Sequence, residues 1–183
     1  VSVLYGARIG NGNVIFPGAV ISAVPQDLKF QGEDTTAEVG DNNKIRENVT
    51  INRGTAAKGK TCVGSGNLLM ESVHVAHDAF VGNDCIIGNG TKLAGEIIID
   101  DHAIISANVL MHQFCRVGGY TMVGGGTRFS QDIPPYTICA REPVAYCGLN
   151  LVGLRRRGFS NELIENIHNA YRIIYQGGVP LNE

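Results

Sequence analysis

The 183-residue chain has little net charge, no long apolar run and no paired-cysteine motif. Its 15 Lys and Arg against 17 Asp and Glu leave a formal charge of -2, which supplies no global field for nucleic acid or for an anionic membrane. No run of about 18 apolar residues is present, and the first residues lack the basic segment followed by an apolar run that marks a secretory signal. These absences lead us to expect a soluble, cytoplasmic protein with no transmembrane segment and no nucleic-acid partner. The five cysteines, at 62, 85, 115, 139 and 147, have an odd count and no CxxC spacing, which argues against a disulfide framework and a thiolate metal site. Glycine, at 24 residues, is abundant, as a chain with many tight corners requires.

What is present is a period of six. From Val63 an apolar residue recurs at every sixth position: Leu69, Val75, Val81, Ile87, Leu93, Ile99, Ile105, Met111, Val117, Val123 and Phe129. Four places after these residues, from Val73 onward, stands a second set confined to Val, Ala, Cys, Thr and Ile. Neither a helix of 3.6 residues per turn nor a two-residue strand alternation produces this spacing. A chain that turns a corner every six residues does, and three corners close a triangular coil of 18 residues. Coils stacked at about 4.8 Å form three parallel sheets around an apolar interior. Cys85 and Cys115 fall on the small inward position and read as packing residues.

The register already runs at Val3, Ile9, Ile15 and Ile21, so the chain is expected to begin inside a longer coil. It is suspended from Val24 to Glu38 and resumes at Val39, which predicts an outward loop near 24–38. A second interruption from Arg53 to Lys60 carries three cations and can be read as a phosphate-facing or as a solvated loop. The β-helix is expected over 1–136, ending at Pro134-Pro135. Residues 137–183 then form a C-terminal extension, with an irregular strand-like stretch from Thr137 to Leu151 and the start of a truncated helical subdomain. Ser160 is the expected N-cap of its helix, Leu163, Ile164, Ile167, Ala170, Tyr171 and Ile174 its apolar face, and Gly177-Gly178 its stop.

Residues 18 apart lie above one another in such a coil. One row is His77, Gly95, Gln113 and Gln131, the adjacent row is Ala76, Ala94, His112 and Ser130, and Asp78 stacks on Glu96. His74 precedes His77 by three residues. His102 reads as an ordinary surface residue and His168 as part of the polar side of the last helix. Two chemistries can use the histidine edge: three imidazoles holding a zinc-bound water, or one neutral imidazole, oriented by a carboxylate, acting as general base. Asp78 can orient His77 only if the backbone turns between them. The Gly95 backbone allows a substrate carbonyl to approach an N–H donor.

An ordered set of non-repeat motifs then narrows the reading. Gln26-Asp27-Leu28-Lys29-Phe30, Ile45 to Thr55, Asn67-Leu68-Leu69-Met70, His74-Val75-Ala76-His77-Asp78, His112-Gln113-Phe114-Cys115, Gln131 to Tyr136 and Arg156-Arg157-Gly158-Phe159-Ser160 together resemble the bacterial UDP-N-acetylglucosamine acyltransferases, which begin lipid A synthesis. The resemblance extends over essentially the whole chain. It implies an all-β fold, a left-handed parallel β-helix of hexapeptide repeats with a C-terminal α-helical segment, and it supplies the hand that the period alone does not. It also implies a homotrimer with active sites between subunits. The reaction implied is transfer of an (R)-3-hydroxyacyl chain from acyl carrier protein to the 3-hydroxyl of UDP-N-acetylglucosamine. No cofactor or metal is implied, the donor carrying its own 4'-phosphopantetheine on the carrier protein.

Carried over by motif, His77 is the general base, Asp78 its orienting partner and the Gly95 N–H the oxyanion donor. Asp27 and His74 are implied to contact the sugar, with His112 and Gln113 at the nucleotide-sugar end of the cleft. Asn150, Arg156 and Arg157 are implied to hold the acyl thioester or the diphosphate, and Gly125 to set acyl-chain length. The chain departs from better-known members at Glu96, where they place a further His that faces the sugar, and at Pro143, where some carry another. Two related readings share the coil, an N-acyltransferase of the same pathway and a zinc enzyme resembling the gamma carbonic anhydrases. A non-catalytic trimeric scaffold is a third and would leave His77 dispensable.

Overall fold

A computed structural model describes residues 1–177. Each hexad contributes one short strand, such as His74–Val75, Phe80–Val81 and Ile86–Ile87, and three strands complete a coil. Strands of successive coils pair in parallel with partners 18 residues apart: His74 with Lys92, Phe80 with Ile98 and Ile86 with Ile104. Among the described residues this builds a first sheet of seven strands, from Ser2–Val3 to Arg128–Phe129, and a second of six, from Ala7–Ile9 to Arg116–Val117. A third sheet of eight begins at Val14–Ile15 and ends in the antiparallel pair Thr137–Ala140 and Ala145–Leu149. The fold is the left-handed parallel β-helix with a C-terminal helical segment that the hexads and the resemblance led us to expect.

The two repeat sets explain the packing. The larger residues Leu69, Val75, Val81, Ile87, Leu93, Ile99 and Ile105 are fully buried, and so are Val73, Cys85, Ile97, Ala103 and Val109 of the small set. Burying each large side chain contributes about 1.5–3 kcal/mol before the entropy of ordering the chain is subtracted. None of the five cysteines is paired. The corners reverse through a residue in the left-handed region, and Asp78, Asp84, Glu96, His102 and Asn108 occupy it with φ between 53° and 62°. Asp and Asn tolerate that region better than other side-chain-bearing residues.

Register measures the interruptions. Ile9 pairs with Val39 and Ile15 with Ile45, so the 24–38 excursion adds twelve residues to an 18-residue coil. Val39 pairs with Val63 and Ile45 with Leu69, so the 53–60 loop adds six. The cations of the loop all contact protein groups. Arg53 stacks on the rings of Tyr5 and Phe30, Lys58 reaches Glu96 at 3.7 Å and Lys60 reaches Glu38 at 3.0 Å. The last coil is shorter: Val117 pairs with Ile133 and Val123 with Cys139, both 16 residues apart. Gln131 therefore leaves the row of His77, Gly95 and Gln113 and lines a different cavity, beside His168 and Tyr171.

The strand-like stretch is a hairpin, Thr137–Ala140 with Ala145–Leu149, whose register shifts between Thr137 and Cys139, and it is followed by a helix that the sequence pattern does not announce, α1 (Leu151–Arg156). Six residues are too few to show a 3.6-residue period. The second helix, α2 (Asn161–Gln176), starts where expected, with the Ser160 hydroxyl accepting from the Leu163 N–H at 3.1 Å. Its apolar face is covered only in part. Ile164 is buried and Ile167 and Tyr171 are half-buried, whereas Leu163 and Ile174 remain exposed. Within this chain α2 lies against α1 and the hairpin, where Tyr171 stacks on Tyr146 and donates to the Pro135 carbonyl. Gly177 caps the helix; Gly178 and the rest of the expected C-terminal segment lie outside the described residues.

Candidate active site

The corner between the first and second sheets carries the site. Strand His74–Val75 leads into it, strand Phe80–Val81 leaves it, and the equivalent corner of the next coil holds Gly95 and Glu96. Asp78 adopts a φ of 60°, the reversal that adjacency required, and this swings its carboxylate back to the preceding ring. His77 Nδ1 lies 2.8 Å from Asp78 Oδ2. An ionised carboxylate only accepts, so Nδ1 carries a proton, and in the neutral ring Nε2 presents its lone pair.

Asp78 is only 2% exposed, and its oxygens are fully engaged. Oδ1 accepts from the Thr55 N–H at 3.0 Å, and Oδ2 accepts from the Thr55 hydroxyl at 2.6 Å as well as from His77. Its own N–H donates to Thr61 Oγ1 at 2.8 Å. Four hydrogen bonds thus fix one residue.

Above the ring sits Gly95. A Cβ built there would fall 2.7 Å from His77 Cε1 and Nε2, closer than real contacts allow, so the imidazole can lie over this backbone only because the side chain is missing. Among the described residues the Gly95 N–H takes no acceptor, while the next N–H, that of Glu96, donates to the His77 carbonyl at 3.0 Å. An unpaired donor thus stands beside the imidazole nitrogen that Asp78 leaves free.

An open groove of about 390 Å³ runs past this pair, lined by Gln26, His74, His77, Lys92, Gly95, Met111 and Gln113 among others. His74 Nδ1 lies 2.7 Å from the Thr50 hydroxyl, and burial, followed by the charge of Lys92 and that of His77 when protonated, pushes its pKa below the ordinary 6.5. Asp27 is half-buried at the base of the outward loop; it accepts from the Lys29 N–H at 3.0 Å, and its neighbour Gln26 reaches the groove. His112 is exposed, lies 3.1 Å from the Gln113 carbonyl through Nδ1, and lines an adjoining groove with Arg128, Glu142 and Pro143. Glu96 pairs with Lys58. Gln26 and Lys92 were missed by sequence reasoning; the coil spacing that stacks Lys92 directly on His74 was the signal for the second.

The remaining expected residues lie elsewhere in the chain. Asn150 is 6% exposed and serves as the N-cap of α1, its Oδ1 accepting from the Gly153 N–H at 3.2 Å and its Nδ2 donating to the Tyr120 carbonyl at 3.0 Å. Arg157 donates to His102 Nδ1 at 2.7 Å and lies over the Tyr120 ring, at the corner between the second and third sheets. His102, read from sequence as an ordinary surface residue, is therefore an anchor for the C-terminal segment, its ring tilted 37° against that of Tyr120 with centroids 4.7 Å apart. Arg156 is exposed and has no side-chain partner among the described residues. Gly125 stands at the corner between the third and first sheets. Among the described residues no group of three His, Cys, Asp or Glu side chains is placed to hold a metal ion.

The same fold recurs in solved structures. LpxA, a UDP-N-acetylglucosamine acyltransferase from Bacteroides fragilis 9343, superposes with a TM-score of 0.94 at 76% identity, over 97% of this chain and 70% of that one. The chain belongs to the UDP-N-acetylglucosamine acyltransferase family. Other UDP-N-acetylglucosamine acyltransferases match at greater distance: that of Francisella novicida at 39% identity and a TM-score of 0.95 over 98% of this chain and 67% of its own, and that of Arabidopsis at 36% and 0.87 over 97% and 66%. A family model described as Udp N-acetylglucosamine O-acyltransferase, domain 2, matches residues 132–183, the hairpin and helices of this family member.

Proposed function

We propose that this protein transfers an (R)-3-hydroxyacyl chain from acyl carrier protein to the 3-hydroxyl of UDP-N-acetylglucosamine, the first step of lipid A biosynthesis. The observation that carries the mechanism is the placement of His77 Nε2 beside the unpaired Gly95 N–H. Neutral His77 takes the proton of the sugar hydroxyl as that oxygen attacks the thioester carbonyl carbon. The Gly95 N–H receives the charge that develops on the carbonyl oxygen. As the carbon–sulfur bond breaks, the proton on His77 passes to the departing phosphopantetheine thiolate, leaving an ester and a thiol. Cys115 is 4% exposed on the inner face of the coil, and the mechanism uses no covalent enzyme intermediate and no cofactor.

His74, Asp27 and Gln113 contact the sugar in this reading, with His112 at the nucleotide end. Glu96 can only accept from a sugar hydroxyl, where a His could donate. The active unit is a homotrimer with sites between subunits. In support, one chain leaves Arg156 and Asn150 beside a different corner from His77, and the groove at His77 is open on one side. No helix among the described residues is long and apolar enough to cross a membrane, and two water-soluble substrates suit the cytoplasm. The O-acyl reading is favoured over N-acylation by the O-acyltransferase family model.

The test is incubation with (R)-3-hydroxyacyl carrier proteins of several lengths and UDP-N-acetylglucosamine, with mass spectrometry of the product. An ester at the 3-hydroxyl is expected. Mixing His77→Ala with Arg156→Ala, at a substrate concentration far enough below the raised KM of the second that neither protein turns over alone, restores activity if each site draws on two subunits; no recovery after verified subunit exchange overturns the shared site.

A further inference from the structure

The 53–60 loop is a polar feature that the function above leaves unexplained. Its cations already contact protein groups: Arg53 lies over the Phe30 ring, and Lys58 and Lys60 pair with Glu96 and Glu38. It meets the corner of His77 and Asp78 through Thr55, which is 7% exposed and makes two of the three hydrogen bonds received by the Asp78 carboxylate.

We infer that Thr55 is a positioning residue for the reaction: the loop holds the Asp78 carboxylate in the one orientation that keeps His77 in its Nδ1–H tautomer. This rests on the role proposed above for His77.

The directions of the hydrogen bonds carry the inference. The Thr55 hydroxyl accepts from the Ala57 N–H at 3.2 Å, and its own proton is directed to Asp78 Oδ2 at 2.6 Å. The Thr55 N–H reaches the other oxygen, so the two contacts, from one residue to both ends of the carboxylate, block its rotation. Only the position facing His77 Nδ1 is left for the ring. A carboxylate free to turn would let Nδ1–H lose its acceptor, and the ring could then carry its proton on Nε2, where it cannot serve as base. The same loop sends Lys58 to Glu96, which flanks the ring from the next coil. The charged and titratable groups around His77 are thus Asp78 on its own corner, His74 on the preceding strand, Lys92 and Glu96 on the next coil, and Lys58 on the loop. A six-residue addition to an otherwise 18-residue coil is what lets a threonine 23 positions earlier reach Asp78.

The experiment has two arms. Nitrogen-15 NMR of the substrate-free wild type is expected to show His77 as the Nδ1–H tautomer and a slowly exchanging Thr55 hydroxyl proton. Thr55→Val, which keeps the shape and the N–H, is expected to give a mixture of tautomers and to lower kcat on the order of 10-fold with little change in KM. Thr55→Ser restores both. Wild-type tautomer and kcat in Thr55→Val, or equal losses in the Val and Ser variants, overturn the inference, as does a rapidly exchanging hydroxyl proton in the wild type, which requires no variant to fold. A wild type without acyl transfer would instead overturn the proposed reaction, and the NMR arm, needing no substrate, would still decide the role of Thr55.

Discussion

His77 and Asp78 are consecutive, yet their side chains meet at 2.8 Å because Asp78 takes a φ of 60° at a corner of the coil. Side chains of neighbouring residues in an extended strand point to opposite faces, so this contact exists only where the backbone reverses. In the proposed mechanism the pair acts as one base. His77→Ala is expected to lower kcat by about 10²-fold or more. Asp78→Asn keeps a residue suited to the left-handed corner but can present an amide donor to Nδ1, and its kcat should fall while its KM for UDP-N-acetylglucosamine stays near the wild-type value. Steady-state kinetics of both variants decide; a fully active Asp78→Asn would separate Asp78 from the chemistry.

Gly95→Ala should be a variant that folds and does not turn over. Gly95 has no left-handed φ, so alanine strains no backbone there, but its Cβ would fall 2.7 Å from His77 Nε2 and must displace the ring. We expect a melting temperature close to that of the wild type and a loss of activity comparable to that of His77→Ala. Near-normal activity would show that the ring moves aside at no cost to the reaction.

Much of this site is legible in the order of residues alone, and what is not legible shares one cause. The coil follows from a period of six that runs unbroken from Val63 to Phe129, and the stacking of His77 under Gly95 follows from an 18-residue coil. Contacts set by insertion or by chain reversal leave no such periodic mark. Thr55 reaches Asp78 across a loop whose six added residues break the period, and His102 meets Arg157 55 positions later. The row through Gln131 fails because the last coil is two residues short. Lys92 is within reach of the spacing argument, since it stacks on His74 in the regular part of the coil.

The two arginines before Gly158 should behave differently. Arg157 is tied to His102 Nδ1, the Asp84 carbonyl and the Tyr120 ring, while Arg156 is exposed and without a side-chain partner among the described residues. Arg157→Ala is therefore expected to lower stability by roughly 1 kcal/mol, since the contact is partly exposed. Arg156→Ala should leave the melting temperature unchanged and raise KM for one substrate. Thermal denaturation alongside kinetics separates the two roles, and identical profiles would refute the division.

His74 makes stability depend on pH. Its pKa in the folded chain lies below the ordinary 6.5, first because burial disfavours the imidazolium and then because Lys92 and His77 repel it. The unfolded chain therefore binds this proton at a higher pH than the folded chain does. Above pH 6.5 the group has no effect; as pH falls through 6.5 toward the folded value, protonation favours unfolding. The melting temperature should fall over that window, and less steeply in His74→Gln than in the wild type. Parallel curves for the two proteins would remove His74 as the source.

Gly125 tests the length of the acyl groove. Its φ is not in the left-handed region, that role falling to Gly126 at 69°, so the corner itself does not demand glycine at 125. A Cβ there would meet the Ala107 carbonyl at 3.3 Å and Ser106 Cβ at 3.8 Å, a fit that a small shift accommodates. Gly125 and His77 stand at opposite corners of the first sheet, so an acyl chain whose thioester carbonyl sits beside His77 and which is laid across that sheet would approach Gly125 with its far end. Substituting Gly125→Met should then leave folding and the KM for UDP-N-acetylglucosamine intact while moving the preferred donor to a chain several carbons shorter. Competition among carrier proteins bearing different chain lengths reads this out directly. If the preferred length is the same in the variant, the far end of the chain does not reach Gly125, and the groove takes another course over the coil.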